Sequence, residues 1–167
     1  MRIYVDGTDL LAHFEQQGEE LFVDSDLDES RRSVKRWLAR YADLHDCDIT
    51  LVWDETPVGH VRDPRETFGR VKVVHLPFGE DAYPEIAGPA NRSALQERTF
   101  VVTEDPKLMN ALQRGKPAVW SPAHFVARAR RTMGKEDEQA AREPDRKFTG
   151  LSEDEVDFWV GFFEEED

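Results

Sequence analysis

Three short apolar runs in this sequence each lead into an aspartate. The aspartates are Asp6, Asp54 and Asp105, and the runs before them are 3–5, 49–53 and 100–104. Buried strands of a parallel sheet read as continuous hydrophobic runs, and ligands bind outside the carboxyl ends of such strands. Three carboxylates at that edge would repel one another unless a cation lay between them. Clusters of oxygen ligands suit Mg²⁺ or Mn²⁺, so the pattern predicts a site for one of these ions.

Helix capping is a second explanation for the same aspartates. Asp6 and Asp105 each stand where a strand is expected to turn into a helix, and aspartate is a preferred N-cap residue. Asp105 is followed by Pro106, and proline is favoured in the first turn of a helix. One carboxylate can cap a helix and face a metal as well, so the sequence leaves both roles open.

Other kinds of site have weaker support. The five histidines lie in separate segments without a short metal-binding spacing, which argues against a zinc site. Neither Gly-x-x-x-x-Gly-Lys-Ser/Thr nor Gly-x-Gly-x-x-Gly occurs, so the common nucleotide-binding loops are missing. The start Val5-Asp6-Gly7-Thr8 is similar to the first motif of haloacid-dehalogenase-like phosphatases, but Tyr4 stands where those enzymes carry a nucleophilic aspartate.

The elements that would position the aspartates alternate between strand and helix. Strands are predicted over residues 2–6, 49–54, 71–76, 99–104 and 117–120, with helices between and after them. This order is typical of an α/β fold with three layers, in which helices cover both faces of a central parallel sheet. Residues 55–70 are predicted to form a loop. Pro84 and Gly88-Pro89 predict a short or broken helix with a second piece near Asn91 to Glu97.

The chain is predicted to divide into three parts. Residues 1–133 form the α/β domain, residues 134–150 a polar linker, and residues 151–167 an amphipathic C-terminal helix. Ser152 and Glu155 make a capping box for that helix. Because so short a helix is marginal alone in water, we expect it to dock on its own domain, on a partner protein, or as an exchanged arm in a dimer.

Composition favours a folded protein of about one domain. The apolar runs are too short to cross a membrane, the start lacks an apolar signal region, and a lone Cys47 is compatible with a reducing compartment, so we expect a cytoplasmic protein. The net charge of −13 is uneven: nine acids and one base give −8 over residues 1–30, thirteen acids and three bases give −10 over 136–167, and the middle carries +5. Bulk acidity therefore does not exclude a phosphate-bearing substrate.

Basic residues in that middle part are candidates for RNA contact. Arg32, Arg36 and Arg40 are spaced four apart on one face of a predicted helix, and Arg62 and Arg65 lie in the predicted loop. A solvated basic stripe and an exposed loop explain the same residues without RNA.

Taken together, the motifs resemble the NYN domains of the PIN-like ribonuclease superfamily, and within them the YacP-like group. The matching segments are Asp6-Gly7-Thr8-Asp9-Leu10, Leu51-Val52-Trp53-Asp54-Glu55 and Val101-Val102-Thr103-Glu104-Asp105. The family patterns are Asp-Gly-Tyr-Asn, Val-Val-Phe-Asp-Gly and Val-Val-Thr-Ser-Asp, in the same order. The sequence departs from them at Asp9, where the family has asparagine. It also has Gly79-Glu80-Asp81-Ala82-Tyr83-Pro84 where the family commonly has Glu-Thr-Ala-Asp-Asp.

The resemblance implies a PIN-like, Rossmann-like domain and a metal-dependent endoribonuclease. It places catalysis and Mg²⁺ or Mn²⁺ binding at Asp6, Asp54, Asp81 and Asp105, with Asp9 and Thr103 in support. Glu80 or Glu85 are substitutes for Asp81, because Pro84 departs from the family pattern beside it. RNA, either free or within a ribonucleoprotein, is the implied partner. The alternative is a non-catalytic RNA- or protein-binding module of the same fold with a partly degenerate site.

Overall fold

A computed structural model of the chain describes residues 1–19, 22, 26–56, 63–94, 96–112 and 117–142. Its strands are β1 (Arg2–Asp6), β2 (Asp48–Thr56), β3 (Arg65–Phe68), β4 (Val71–Pro77), β5 (Thr99–Val102) and β6 (Ala118–Trp120). Its helices are α1 (Gly7–Gln16), α2 (Leu27–Leu44), α3 (Tyr83–Asn91), α4 (Pro106–Ala111) and α5 (Pro122–Arg142), with a 3₁₀ turn at Gln96–Arg98. All five predicted strands are present, and helices follow the first, third, fourth and fifth of them, whereas β2, β3 and β4 follow one another without a helix.

The strands form one six-stranded sheet in the order β3-β4-β2-β1-β5-β6. Every neighbouring pair is parallel except β3 with β4, which is antiparallel. β1 lies between β2 and β5, with Val5 opposite Leu51 on one side and Val102 on the other. The carboxyl ends of the parallel strands therefore meet at one edge, with Asp6 at its centre.

Helices cover both faces of the sheet, which confirms the predicted three-layer α/β class. On one face α1, α2 and α5 enclose the larger core, where Trp37 makes edge-on ring contacts with Phe14, Phe22 and Phe125. On the other face α3 and α4 cover a smaller apolar cluster that includes Tyr4. Alternation along β1 explains the division, because successive side chains of a strand point to opposite faces.

The strand β3 was not expected, since the sequence predicts a loop there. Its four residues have no buried side chain, and Lys35 on α2 binds Glu66 from it at 2.9 Å. A short exposed strand lacks the alternation of apolar and polar residues by which a half-buried strand is recognised. The predicted loop is therefore wrong over Arg65–Phe68.

The prediction of a short or broken helix near Pro84 is confirmed in its first form, because α3 has only 9 residues, although it runs through Pro89 without a break. Pro84 lies in the first turn, where its missing N–H would have had no partner in the helix. Pro89 is tolerated because Gly88 before it has no Cβ to meet the proline ring. Buried Ile86, with its neighbours Ala87 and Ala90, holds the helix on the sheet. The expected second piece is a 3₁₀ turn at Gln96–Arg98.

The last described helix, α5, extends into residues 134–142, which the sequence predicts to be part of a polar linker. α5 comprises two helical segments joined at Gly134, whose backbone is non-helical (φ 71°, ψ 168°), and the second reaches Arg142. The division at residue 133 stays a prediction. The C-terminal helix over residues 151–167, with its capping box, lies outside the described residues. Of the helices that are described, none is long and apolar enough to cross a membrane.

Candidate active site

Asp6 is the centre of the candidate site. It ends β1, is only 5% exposed, and caps α1, with its Oδ1 accepting the Asp9 backbone N–H at 3.2 Å. Burial, followed by the nearby charges of Asp9, Asp54 and Asp105, raises the pKa of Asp6 from 3.8 to about 7, against the hydrogen bond from Asp9, which lowers it. The three strand-end aspartates and Asp9 thus form one electrostatic cluster, which we call the acid cluster.

The residue after Asp6 sets how closely α1 approaches β2. A Cβ on Gly7 would lie 2.6 Å from the Trp53 ring and 2.8 Å from the Val52 carbonyl oxygen. A real side chain cannot occupy that space without moving the backbone. Glycine therefore lets the first turn of α1 pack against β2, which brings the Asp6 end of β1 beside Asp54.

Asp54 lies within β2, directly after the buried Trp53 and two residues before the strand ends at Thr56, and is partly exposed. The hydroxyl of Thr8, in the first turn of α1, donates a hydrogen bond to its Oδ1. This bond orients the carboxylate toward the start of α1. Sequence reasoning missed Thr8, although its place in the turn after Asp6 could have suggested a hydroxyl partner for a neighbouring carboxylate.

Asp9 bridges α1 to the end of β5. Its Oδ2 accepts the Thr103 hydroxyl at 2.8 Å and the Glu104 backbone N–H at 2.6 Å. Thr103 is 1% exposed and also accepts the Asp105 backbone N–H at 3.0 Å. Asp9 thus uses one carboxylate oxygen to fix the loop that carries Asp105. A supporting role of Asp9 and Thr103 in catalysis stays a prediction.

Asp105 caps α4, as one reading of the sequence predicts, with its Oδ1 accepting the Lys107 backbone N–H at 2.8 Å. Its charge nonetheless reaches Asp6 and raises the pKa of that carboxyl. The capping of α4 therefore does not remove Asp105 from the electrostatic environment of Asp6, and a metal-binding role for Asp105 stays a prediction.

Asp81 lies in the turn between β4 and α3 and is exposed. Its Oδ1 accepts the Tyr83 backbone N–H at 2.9 Å. The acids whose charges raise the pKa of Asp6 do not include it. Of its substitutes, Glu85 is bound to Arg65, with an Nη1 to Oε2 distance of 3.2 Å. A catalytic or metal-binding role for Asp81 stays a prediction.

The donor chemistry of the acid cluster fits a hard divalent cation, because it supplies only carboxylate and hydroxyl oxygens around a buried carboxyl. The carboxylates do not converge as a closed cage: within the described ranges, no three His, Cys, Asp or Glu side chains form a metal-binding group. Each of Asp9, Asp54 and Asp105 is instead turned toward a hydrogen-bond donor of the protein.

The predicted RNA-contacting arginines are in part ion-paired. Glu29 binds Arg32 at 2.7 Å and Arg36 at 3.3 Å, and Arg65 is bound to Glu85. Arg40 is exposed on α2, and Arg62 lies outside the described residues. An RNA role for these five stays a prediction.

The sequence and the fold of the chain are similar to those of known proteins. The sequence matches the model of the YacP-like NYN domain family over residues 3–158. The crystal structure of Rae1 (YacP) from Bacillus subtilis is similar with a TM-score of 0.61 and 18% identity, over 99% of this chain and 89% of that one. A mutant of the same Bacillus subtilis protein gives a TM-score of 0.59 and 20% identity, over 78% and 76%. No curated protein sequence matches.

Proposed function

Because the chain belongs to the YacP-like NYN domain family, which has a PIN-like nuclease fold, we propose that it is a metal-dependent endoribonuclease. The substrate is RNA, and hydrolysis of the phosphodiester bond takes place at the acid cluster. The observation that carries this proposal is the environment of Asp6. Asp6 is a nearly buried carboxyl with three further acids around it, and burial, followed by the charges of those acids, raises its pKa to about 7.

Ionising Asp6 in this arrangement costs free energy unless a nearby cation offsets the negative charges. Burying a carboxylate and placing like charges beside it both disfavour the ionised form. Perturbed acids of this kind cluster at functional sites. The hydroxyls of Thr8 and Thr103 hold the carboxylates by hydrogen bonds, but neither adds the positive charge that would lower the pKa of Asp6.

The residues that would hold Mg²⁺ or Mn²⁺ are Asp6, Asp54 and Asp105, with Asp81 as the predicted fourth. When bound, such an ion polarises the scissile phosphate and lowers the pKa of a water molecule. The chain's own side chains would hold the metal-binding carboxylates in position. Thr8 orients Asp54, and Asp9 with Thr103 fixes the loop of Asp105. The backbone cap holds Oδ1 of Asp6 toward α1, and the Thr103 hydroxyl donates to its Oδ2 at 3.4 Å.

The test is cleavage of a single-stranded RNA by the full chain with Mn²⁺ or Mg²⁺ and with EDTA. We expect cleavage that requires the metal and is lost in Asp6→Asn, because the amide preserves the N-cap but removes the charge. Asp43→Asn is the matched control, since Asp43 is exposed on α2. Metal-independent cleavage, or full activity in Asp6→Asn, would refute the proposal.

A non-catalytic binding module is the second candidate, and the lack of a closed carboxylate cage among the described residues favours it. The same RNA distinguishes the two. A module would bind the RNA in a gel-shift assay and leave it intact at every Mn²⁺ concentration. Binding by Asp6→Asn would then equal binding by the wild type or exceed it.

A further inference from the structure

Two exposed aromatic rings come from the connection between β4 and α3, at the same edge of the sheet as the acid cluster. Phe78 directly follows β4 and is 78% exposed, and Tyr83 begins α3 and is 42% exposed. Phenylalanine side chains are usually buried, because removing the ring from water stabilises the fold. A ring left this far in water adds little to stability. Beside a candidate site it is instead a candidate for contact with a ligand.

A tight turn fixes the backbone of Phe78. The Glu80 N–H donates to the Pro77 carbonyl oxygen at 3.0 Å, and Gly79 has a positive φ of 89°. A bond across four residues with positive φ at the third is the pattern of a type II β-turn, which explains the glycine. Phe78 is the second residue of this turn, and its backbone there does not require an aromatic side chain. The turn therefore presents the ring without using it for packing.

The same turn is tied to the strand that carries Asp54. The Phe78 N–H donates to the Thr56 carbonyl oxygen at 3.2 Å, and Thr56 is itself buried, with its hydroxyl accepting from Arg31 at 3.1 Å. Asp54 is two residues before Thr56, which is at most about 7 Å along a strand. The backbone of Phe78 therefore lies roughly 10 Å from that of Asp54, beyond it in the direction of the strand. An RNA strand bound at the acid cluster has a base near the cut within reach of this ring.

We propose that Phe78 stacks on an unpaired base of the RNA strand and so positions the strand at the acid cluster, an inference that rests on the proposed ribonuclease function. Aromatic side chains recognise RNA bases in this way, and every base has a face to stack on, so the contact does not select a sequence. Glu80 and Asp81 follow in the same connection and are exposed, and their charges disfavour a phosphate there. The base, rather than the RNA backbone, therefore faces the turn.

The first test measures binding of a single-stranded RNA oligonucleotide to the full chain by fluorescence anisotropy, in EDTA to prevent metal-dependent cleavage. We expect Phe78→Ala to raise the Kd about tenfold, as the loss of one base–aromatic contact predicts. Phe78→Trp should bind at least as tightly as the wild type. Phe78→Leu should bind as weakly as Phe78→Ala, because leucine is apolar but has no aromatic face. Urea unfolding should be unchanged in Phe78→Ala, since the ring is exposed.

Phe68→Ala is the matched control. Phe68 is 43% exposed and lies opposite Val71, the first residue of β4, so it is at the amino edge of the sheet, away from the acid cluster. Its removal should leave RNA binding unchanged. Binding of a blunt RNA duplex should be equal in the wild type and Phe78→Ala, because paired bases already stack on both faces. An unchanged Kd for single-stranded RNA in Phe78→Ala, or Phe78→Leu binding as tightly as Phe78→Trp, would overturn the proposal.

A second test locates the stacked base. One base is removed from a single-stranded RNA to leave an abasic nucleotide, and cleavage at each bond is mapped with Mn²⁺. The wild type should cut about tenfold less often at the bond that lies at one fixed offset from the abasic nucleotide, and Phe78→Ala should show no such gap. Cleavage without that gap in the wild type would overturn the stacking contact and leave the ribonuclease function standing. Binding that depends on Phe78, without cleavage of any RNA, would refute the ribonuclease function and leave the contact standing.

Discussion

Replacing Asp6 with asparagine should stabilise the metal-free protein at neutral and alkaline pH. Asparagine caps a helix about as well as aspartate, so the bond to the Asp9 N–H is retained. What is lost is an ionisable group whose pKa rises on folding from 3.8 to about 7, chiefly because it is buried. A raised pKa means that the folded state holds this proton more tightly than the unfolded state does.

The size of this effect on the free energy of unfolding follows from proton linkage. Below about pH 4 the carboxyl is protonated in both states, so Asp6 does not make stability depend on pH there. Between pH 4 and 7 the folded state binds more protons, and the free energy of unfolding falls by ~1.4 kcal/mol per pH unit. Over about three units the loss reaches at most about 4 kcal/mol, and it levels off above pH 7. Asp6→Asn should not show this decline.

The assay is urea unfolding of wild type and Asp6→Asn at each pH from 4 to 9, in EDTA. The difference in unfolding free energy should be small at pH 4 and should favour the variant by about 2–4 kcal/mol at pH 8. Added Mg²⁺ should then stabilise the wild type and not the variant, because a ligand stabilises the state that binds it. Parallel pH profiles for the two proteins, or a variant that is less stable at pH 8, would refute the reasoning.

Two substitutions test the parts that support the acid cluster, and a salt titration tests the basic middle of the chain. Gly7→Ala should lower the free energy of unfolding by about 1–3 kcal/mol in thermal or urea unfolding, because its Cβ meets Trp53 and the Val52 carbonyl; no loss would show that α1 has room to move. Thr103→Val should cost about 1–3 kcal/mol by leaving Asp9 and the Asp105 N–H without their hydroxyl, whereas exposed Thr67→Val should cost little; equal losses would contradict this. RNA affinity measured by fluorescence anisotropy should fall about tenfold from 50 to 200 mM salt, and a flat response would exclude phosphate contacts by the basic middle of the chain.

The sheet and the strand-end aspartates were predictable because both follow from local patterns. Runs such as Ile49 to Trp53 are apolar on both faces, which only a covered strand requires. Parallel pairing then brings the ends of β1, β2 and β5 to one edge, and three of the four predicted catalytic acids lie in one electrostatic cluster. The sequence Asp105-Pro106 also predicts that Asp105 caps α4, and the structure confirms this.

The partners of those aspartates were not predictable in the same way. The contact of Asp9 with Thr103 joins residues 94 apart, and it depends on the register of β1 with β5. The sequence of α2 does not distinguish Arg31, which is buried over Trp53, from the other basic residues of that helix. The strand β3 is short and exposed, and the intact α3 depends on buried contacts that offset its prolines. Tertiary packing decides each of these, and no local pattern encodes it.

The most direct measurement of the central claim is an anomalous difference map from a crystal of the full chain soaked in Mn²⁺. The account predicts a peak within about 2.3 Å of carboxylate oxygens of both Asp6 and Asp105. The same soak of Asp6→Asn should give no peak there. A wild-type map without a peak at the acid cluster, at an Mn²⁺ concentration that supports RNA cleavage, would contradict the claim that these aspartates hold the catalytic cation.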